Sequence, residues 1–589
     1  MARFRCSVCG WVFDEEKEGK KFSELPDDWV CPVCGAPKGV FVEMKEGGER
    51  KKGYKRASEM IVETLEAAGV KHVYGIPGES NLPLIEAIRK SSIKFILTRH
   101  EETAAFMASA HGKMTDEVGV CLSIAGPGCT NLITGLLDAE NDRAPVLAFL
   151  GQIPEIRIGS EALQEMDQIE LFRTFAEYAE TLAKPDQDVI GMALKYAYRK
   201  PGVSVISTPT DVLDEPVSSE RFLPEKRISR VRMAPEPGSI ERAADLINSY
   251  NRVAILAGWG ARHCGSELLE LAERLKAPLF TTSRAKGTVP ENHRLCVGVL
   301  GSLGTKQAVK AISNSELLLV VGSGFRQSHL TPGGAKVVQI DTDPVRIGRT
   351  YNVDAPVVGD SLLSLKALLS AVKEKSEDKD YMNAIQVAKG SLADEIDRDC
   401  KDVSIPINPG YLVQAIKRNV RDDAILCVDV GDHTFWLYRK FVCDKQRFFL
   451  SANMASMGFA LPAALSAKLD FPDKQVICVT GDGGFGMLMA DFTTAVREGL
   501  KIDVVIFNDG KLKNIMKEQL SEGYEEFATR FPNPDFARFA ESCGGFGARV
   551  TDPRALDGAL RSALDSDKPS IVDVIVEPLT YEALVASSH

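Results

Sequence analysis

The sequence has 589 residues, room for about four domains at ~150 residues each. Its 44% hydrophobic and 26% charged residues are the balance of an ordinary globular protein. With 71 basic against 82 acidic residues, the net charge of −11 argues against nucleic acid or an anionic membrane surface as the main partner. No apolar run approaches the ~18 residues of a membrane span, and the opening MARFRCSVCGW lacks a signal peptide's apolar core. A cytoplasmic protein without membrane insertion is expected.

Nine of the 13 cysteines are scattered and read as small buried hydrophobes. The other four, Cys6, Cys9, Cys31 and Cys34, form two CxxC-Gly knuckles separated by 21 residues. Glycine after each knuckle allows the tight turn that aims amides at sulfur. Four thiolates in a tetrahedron select zinc or iron. Trp11, Phe13, Phe22, Trp29 and Phe41 add a core unusually rich in rings for a zinc knuckle. The pieces CSVCGWVFD and ELPDDWVCPVCGAPK, with trailing Phe41, resemble rubredoxin with a shortened loop between the knuckles. The resemblance implies that residues 1–44 form a domain in which the four cysteines hold one iron atom carrying one electron. A structural zinc ribbon is the alternative that the thiolates alone leave open.

Residues 45–55 follow as a glycine- and charge-rich linker with nothing to bury. Helical periods then alternate with β-rich runs. HVYGI, VGVCLSI, PVLAFLG and VSVIST come first, then VAILAG, APLFTT, LLLVVG and KVVQID, and last AILCVDVG, QVICVTGDGG, DVVIFNDG and SIVDVIVE. Such alternation implies parallel sheets. Three doubly wound α/β domains are expected, over 56–220, 235–372 and 403–589. Residues 216–238 and the stretch 373–402, charged and helical in period with weak apolar content, read as connectors.

In the last region, Thr480-Gly481-Asp482-Gly483-Gly484 ends one strand and Asn508-Asp509-Gly510 ends the next. Asp482 and Asp509 are 27 positions apart, enough for a crossover helix between neighbouring parallel strands. Both motifs then sit at the carboxyl edge of the sheet, where α/β proteins bind ligands. Glycines let the backbone approach a diphosphate, and an oxygen ligand from each loop can hold Mg²⁺ against it.

This pair resembles the signature of thiamine diphosphate enzymes, and the likeness extends over essentially all of residues 56–589. It implies Mg²⁺ bound by Asp482, Asp509 and the Lys511 carbonyl, with Gly431, Gly481, Gly483 and Gly484 at the cofactor. Met457, in Ser456-Met457-Gly458-Phe459, would be the apolar wedge that bends it. The family usually has Asn at position 509, so a second carboxylate here adds negative charge beside the diphosphate. In Arg99-His100-Glu101-Glu102-Thr103, Glu101 would hydrogen-bond the aminopyrimidine ring, with Glu102 as competitor. Pro77, Gly78 and Gly126 would also meet the cofactor, and Gln164 would lie in the adjoining pocket. The family brings the first domain of one chain against the last of another, which implies a homodimer or homotetramer.

The middle region ends strands with Asp341-Thr342-Asp343 and Asp360, positions that commonly meet ribose hydroxyls. It has two strand-end glycine turns, Gly258-Trp259-Gly260 and Gly322-Ser323-Gly324, and no GxGxxG. These segments resemble the flavin-binding domain shared by pyruvate oxidases and acetohydroxyacid synthases. FAD would be held by Gly258, Gly260, Thr282, Arg284, Gly322, Asp341 and Asp360.

RHEETAAF, IGSEALQEMDQIELFR and GDGGFGMLMADF resemble the quinone-linked pyruvate oxidase. LKNIMKEQ lacks the synthase's tryptophan and carries Glu518, as oxidases do, whereas GPGCTN is closer to the synthase. The oxidase's membrane-associating C-terminal extension has no counterpart, and the rubredoxin unit offers a replacement route for electrons. The expected activity is oxidation of a 2-oxoacid, pyruvate foremost, with Glu101, Gln164 and Glu518 as catalytic residues. Electrons would pass from FAD to the iron and on to an external redox partner. The alternative is an acetolactate synthase-type carboligase with structural flavin and structural zinc.

Overall fold

The computed structural model describes residues 2–6, 11–44, 55–217, 223–230, 232–324 and 331–578. Cys9 and nearly all of the 45–55 linker lie outside the described residues. The N-terminal unit is an antiparallel sheet of Val12–Asp14, Arg3–Cys6 and Phe41–Met44, in that order. Its core is made of rings. Phe4 stacks on Phe22 at 4.1 Å, and Trp11, Phe13, Phe22, Trp29 and Phe41 meet at 5.2–6.3 Å between centroids. So small a domain has little room for an aliphatic core, and ring pairs add to plain area burial. Glu15 clamps the chain's start: its carboxylate accepts the backbone N–H groups of Ala2 and Phe22, each at 2.9 Å.

Three six-stranded, all-parallel sheets follow. The first runs Lys94–Leu97, His72–Gly75, Gly119–Ser123, Val146–Gln152, Val203–Pro209, Tyr178–Thr181. The last runs Arg447–Leu450, Ile425–Val428, Val476–Gly481, Asp503–Asn508, Ser570–Ile575, Phe546–Val550. By position along the chain these two share one order, 2-1-3-4-6-5. The middle sheet differs: Cys296–Val299, Leu279–Thr281, Val253–Ala257, Leu317–Val321, Lys336–Asp341, Ala355–Val358. Its order is 3-2-1-4-5-6, that of dinucleotide-binding folds. Interior strands such as Val146–Gln152 and Leu317–Val321 are buried along their whole length, as helices on both faces require.

The strand order reverses between strands one and three in the outer sheets, and between strands one and four in the middle one. Ligand crevices of open α/β sheets form outside the carboxyl ends at such points. Gly126, the pair Gly258 and Gly322, and Gly431 follow strands that flank them, and Gly481 ends one.

The first and last domains share one apolar core, in which Phe106 meets Phe459 edge to face at 5.8 Å. Asp491 pins the start of the helix Glu101–Thr115 by accepting the Arg99 N–H at 2.8 Å and the Thr103 hydroxyl at 2.6 Å. The stretch 373–402 is more than the expected connector. It holds the helix Lys379–Lys401, whose Tyr381, Met382, Ile385 and Ala388 are buried against the middle domain. One narrow apolar stripe on a charged helix suffices to dock it. The 216–238 stretch also opens as structure, with Pro216–Val217 pairing antiparallel to Lys55–Arg56. Among the described residues, no helix is long and apolar enough to cross a membrane.

Candidate functional site

A cavity of about 200 Å³ opens at the carboxyl edge of the last sheet. Gly431, Met457, Gly481, Asp482, Gly483, Gly484, Asp509 and Lys511 all line it. Asp482 begins the helix Asp482–Leu488 and is nearly fully buried. Its Oδ1 accepts the Gly483 N–H at 2.8 Å, while its Oδ2 accepts those of Gly510 at 2.6 Å and Asp509 at 3.2 Å and the Asn533 amide at 2.6 Å. Burial pushes its carboxyl pKa up against these bonds. Asp509 is pushed up to about 6 by burial, with Lys513 opposing and Asp482 adding to the rise.

Two further carboxylates belong to this region. Asp429 accepts N–H groups of Val430, Gly458 and Ala460 at 2.8, 2.9 and 3.3 Å, tying the 429–431 turn to the segment that carries Met457. Asp432 accepts the Trp436 indole N–H at 3.0 Å.

The lining fits a diphosphate with a divalent cation. A Cβ added at Gly431 or Gly481 would stand 2.9 or 3.0 Å from the His433 ring, and one at Gly483 would meet Met457 Cε at 3.2 Å. Bare backbone therefore faces the cavity. Two carboxylates and a carbonyl make an all-oxygen donor set, which suits Mg²⁺. His433 was not singled out from the sequence. It is buried, its pKa pushed down to about 3 by burial with Lys513 adding, and its Nε2 has no partner among the described residues. A neutral imidazole with an unsatisfied ring nitrogen at this wall is a ready contact for a polar ligand. Only a histidine two residues after a glycine near a strand end could have signalled it, and that is a weak pattern.

The first domain gathers its own cluster. Glu101, the first residue of its helix, is buried and its Oε2 accepts the Asn131 amide at 3.0 Å. A Cβ added at Gly128 would lie 3.1 Å from Glu101 Oε1. Gly126 and Gln164 both adopt positive φ of 65°, and a Cβ at Gly126 would come within 3.0 Å of Gln164 Cβ. Gly78 packs against Ile124 beside the same turn, directly after Pro77. Glu102 is half-buried, and burial raises its pKa. Glu518 stands apart: it is exposed on the helix Lys513–Ser521 and does not line the 200 Å³ cavity.

A second cavity, of about 240 Å³, lies at the switch point of the middle sheet. Trp259, Thr282, Arg284, Gly322, Arg346 and Arg349 line it, with Ala452 and Asn453 from the last domain. The Arg284 guanidinium lies 4.5 Å over the Trp259 ring and donates to the Asp142 carbonyl of the first domain at 2.6 Å. Three arginines and an indole at such a crevice fit a dinucleotide's diphosphate and ring. Of the residues named for this role, Thr282, Arg284 and Gly322 line the cavity, whereas Gly258, Gly260, Asp341 and Asp360 do not. Gly258 and Gly260 instead pack against Ser323 and Gly322. Asp341 accepts the Asp343 N–H at 2.9 Å, and Asp360 caps the helix Ser361–Ala371 through the Leu363 N–H at 3.1 Å.

The Sγ atoms of Cys6, Cys31 and Cys34 lie within 4.8 Å of one another, with Cys6 and Cys34 at 3.7 Å. Thiolates bound tetrahedrally at ~2.3 Å from a metal stand about 3.8 Å apart. Cys6 and Cys31 are buried while Cys34 is exposed, so the cluster has one edge open to the outside.

Comparison with known proteins matches the domains one by one. Residues 55–171 match the N-terminal binding domain of thiamine pyrophosphate enzymes, 240–368 the central domain and 429–574 the C-terminal binding domain. Residues 3–41 match rubredoxin. The chain is 39% identical to YdaP of Bacillus subtilis, named as thiamine pyrophosphate-containing, over 89% of this chain and 92% of that one. It is 30% identical to a pyruvate oxidase of Lactiplantibacillus plantarum, covering 90% of each chain. Likeness to the acetolactate synthase isozyme 3 large subunit of Escherichia coli is 31%, over 88% of this chain and 94% of that one. Most of the relatives carry the acetolactate synthase name.

Proposed function

Because the chain belongs to the thiamine pyrophosphate enzyme family and carries a rubredoxin domain ahead of it, we propose that it oxidises a 2-oxoacid, pyruvate foremost, and passes the electrons from FAD to the rubredoxin iron. The observation that carries this reading is the fused sulfur cluster with its open edge at Cys34. A carboligase moves no net electrons and has no use for a one-electron carrier. Oxidising pyruvate with loss of CO₂, the acyl group being released on water or another nucleophile, frees two electrons, which an iron centre takes one at a time to an external acceptor.

Thiamine diphosphate, when bound, supplies the electron sink for decarboxylation. This chain's residues do the rest. Asp482, Asp509 and the Lys511 carbonyl hold Mg²⁺, the glycine-lined wall admits the diphosphate, and Glu101 holds a proton at the aminopyrimidine ring. Arg284, Arg346 and Arg349 receive the flavin dinucleotide.

A second reading, an acetolactate synthase-type carboligase, is favoured by the names of most relatives. One experiment separates the two: anaerobic addition of pyruvate, with flavin absorbance and acetolactate followed in the same sample. Bleaching without acetolactate is expected. Acetolactate formed over unbleached flavin would hand the assignment to the carboligase.

Deleting residues 1–52 should leave pyruvate-driven flavin reduction intact and slow flavin reoxidation by the physiological acceptor. Fusion in one chain makes the encounter of carrier and flavin intramolecular, which lifts the local carrier concentration above that of a separate protein. Equal reoxidation rates with and without the domain, or zinc alone in protein made with ample iron, would end the electron-transfer reading.

The reading also requires a second copy. No described residue of the first domain lines the 200 Å³ cavity, while Glu101, Asn131 and Gln164 gather at the edge of a different sheet. Exposed apolar side chains flank both: Ile156, Ile158 and Leu163 near Gln164, and Met487, Ile515, Leu520, Tyr524 and Phe527 on the cavity's domain. Such faces are what a two-fold partner covers. Light scattering on the active protein should give a dimer or tetramer, and an active monomer would contradict it.

A further inference from the structure

Position 509 carries a carboxylate where the resembling family usually has an amide, and the cavity then holds three, Asp432, Asp482 and Asp509. An anionic diphosphate entering it would meet strong repulsion. One buried cation stands against them. Lys513 is nearly fully buried, and its Nζ lies 2.9 Å from Asp509 Oδ2 and 3.0 Å from Asp432 Oδ2. It also donates to the Glu577 carbonyl at 3.3 Å. The other lysine of the lining, Lys511, has its ammonium toward Glu526 at 3.6 Å.

We propose that Lys513 is a positioning and charge-balancing residue of this cavity: it neutralises the carboxylate at 509 and holds it at the metal position, so that a diphosphate and its cation can enter together. The inference rests on the reading that Asp482 and Asp509 hold the metal. An ammonium has three N–H donors, and the two carboxylates and the carbonyl take all three. Lys513 therefore acts through Asp509 and not by donating to the diphosphate. Its three partners follow three different strands of the sheet, Ile425–Val428, Asp503–Asn508 and Ser570–Ile575, so the same contact also fixes the cavity's walls. Asp509 keeps its other oxygen on the Lys511 N–H at 3.0 Å, which orients the carboxylate in its loop.

The test is calorimetric titration of cofactor-free protein, varying thiamine diphosphate at saturating Mg²⁺ and Mg²⁺ at saturating thiamine diphosphate. In Lys513→Met, half-saturating thiamine diphosphate should rise about tenfold or more, while half-saturating Mg²⁺ should fall, because an unpaired Asp509 attracts the cation and repels the diphosphate. A merely structural lesion weakens both together. Lys513→Arg should bind as the unaltered protein does, and the double variant Asp509→Asn with Lys513→Met should recover thiamine diphosphate affinity to within about threefold. Recovery in the double variant supports the proposal even if the single variant does not fold. Parallel weakening of both ligands, or a double variant no better than Lys513→Met, would overturn it. Unaltered protein that binds no thiamine diphosphate in the presence of Mg²⁺ would overturn the cofactor reading as well, and is seen before any variant is made.

Discussion

Asp482→Ala should abolish turnover and weaken metal-dependent binding of thiamine diphosphate at least about a hundredfold, the scale reached when even a ligand's supporting partner is removed from a metal site. The carboxylate does two things at once. On the proposed reading it offers oxygen to the cation, and it gathers the N–H groups of Asp509 and Gly510 and the Asn533 amide onto Oδ2. Alanine removes the ligand and leaves those buried donors unpaired, at about 1–3 kcal/mol each where water cannot replace the acceptor. The loop that carries Asp509 would lose its anchor together with the metal. Calorimetry on the purified variant decides the matter: unchanged thiamine diphosphate affinity would show that Asp482 is not a metal ligand.

Glu101→Gln should behave in the opposite manner, keeping the cofactor and losing about 10²–10⁴-fold in turnover, the usual contribution of one positioned proton-transfer group. The amide keeps the size of the side chain and can still meet Asn131, but it cannot share a proton. Glu102→Gln should be close to normal, since Glu101 holds the buried contact with Asn131. A crippled Glu102 variant beside an active Glu101 variant would move the role by one residue. Mixing the two inactive proteins, Glu101→Gln and Asp482→Ala, gives a further check. If each site combines Glu101 of one chain with Asp482 of another, random dimers should regain about a quarter of full activity. No recovery after subunit exchange would place both groups in one chain.

Much of this was legible in the sequence. Twelve interior strands read as apolar runs because helices cover both faces of each sheet, and the glycine and aspartate motifs fall where those runs stop. The six strands that did not read are all edges: Lys94–Leu97, Tyr178–Thr181, Cys296–Val299, Ala355–Val358, Arg447–Leu450 and Phe546–Val550. Tyr178–Thr181 and Phe546–Val550 each bury only one residue, so the apolar run that marks a strand is absent there, whereas Cys296–Val299 and Arg447–Leu450 bury three of four and are too short to stand out. The helix Lys379–Lys401 read as a connector because its four buried positions are diluted by a charged face.

The sequence by itself determined the four-cysteine knuckles, the α/β class and the Asp482 and Asp509 motifs, because each depends on residues close together or on strict periodicity. Only the tertiary structure decided that Thr282 and Arg284 line the middle cavity while Asp341 and Asp360 are spent on local turns and a helix cap. It alone put His433 at the cavity wall and set Lys513 between Asp432 and Asp509. Those contacts join loops that follow different strands, and their partners are chosen by strand order, which no local pattern encodes.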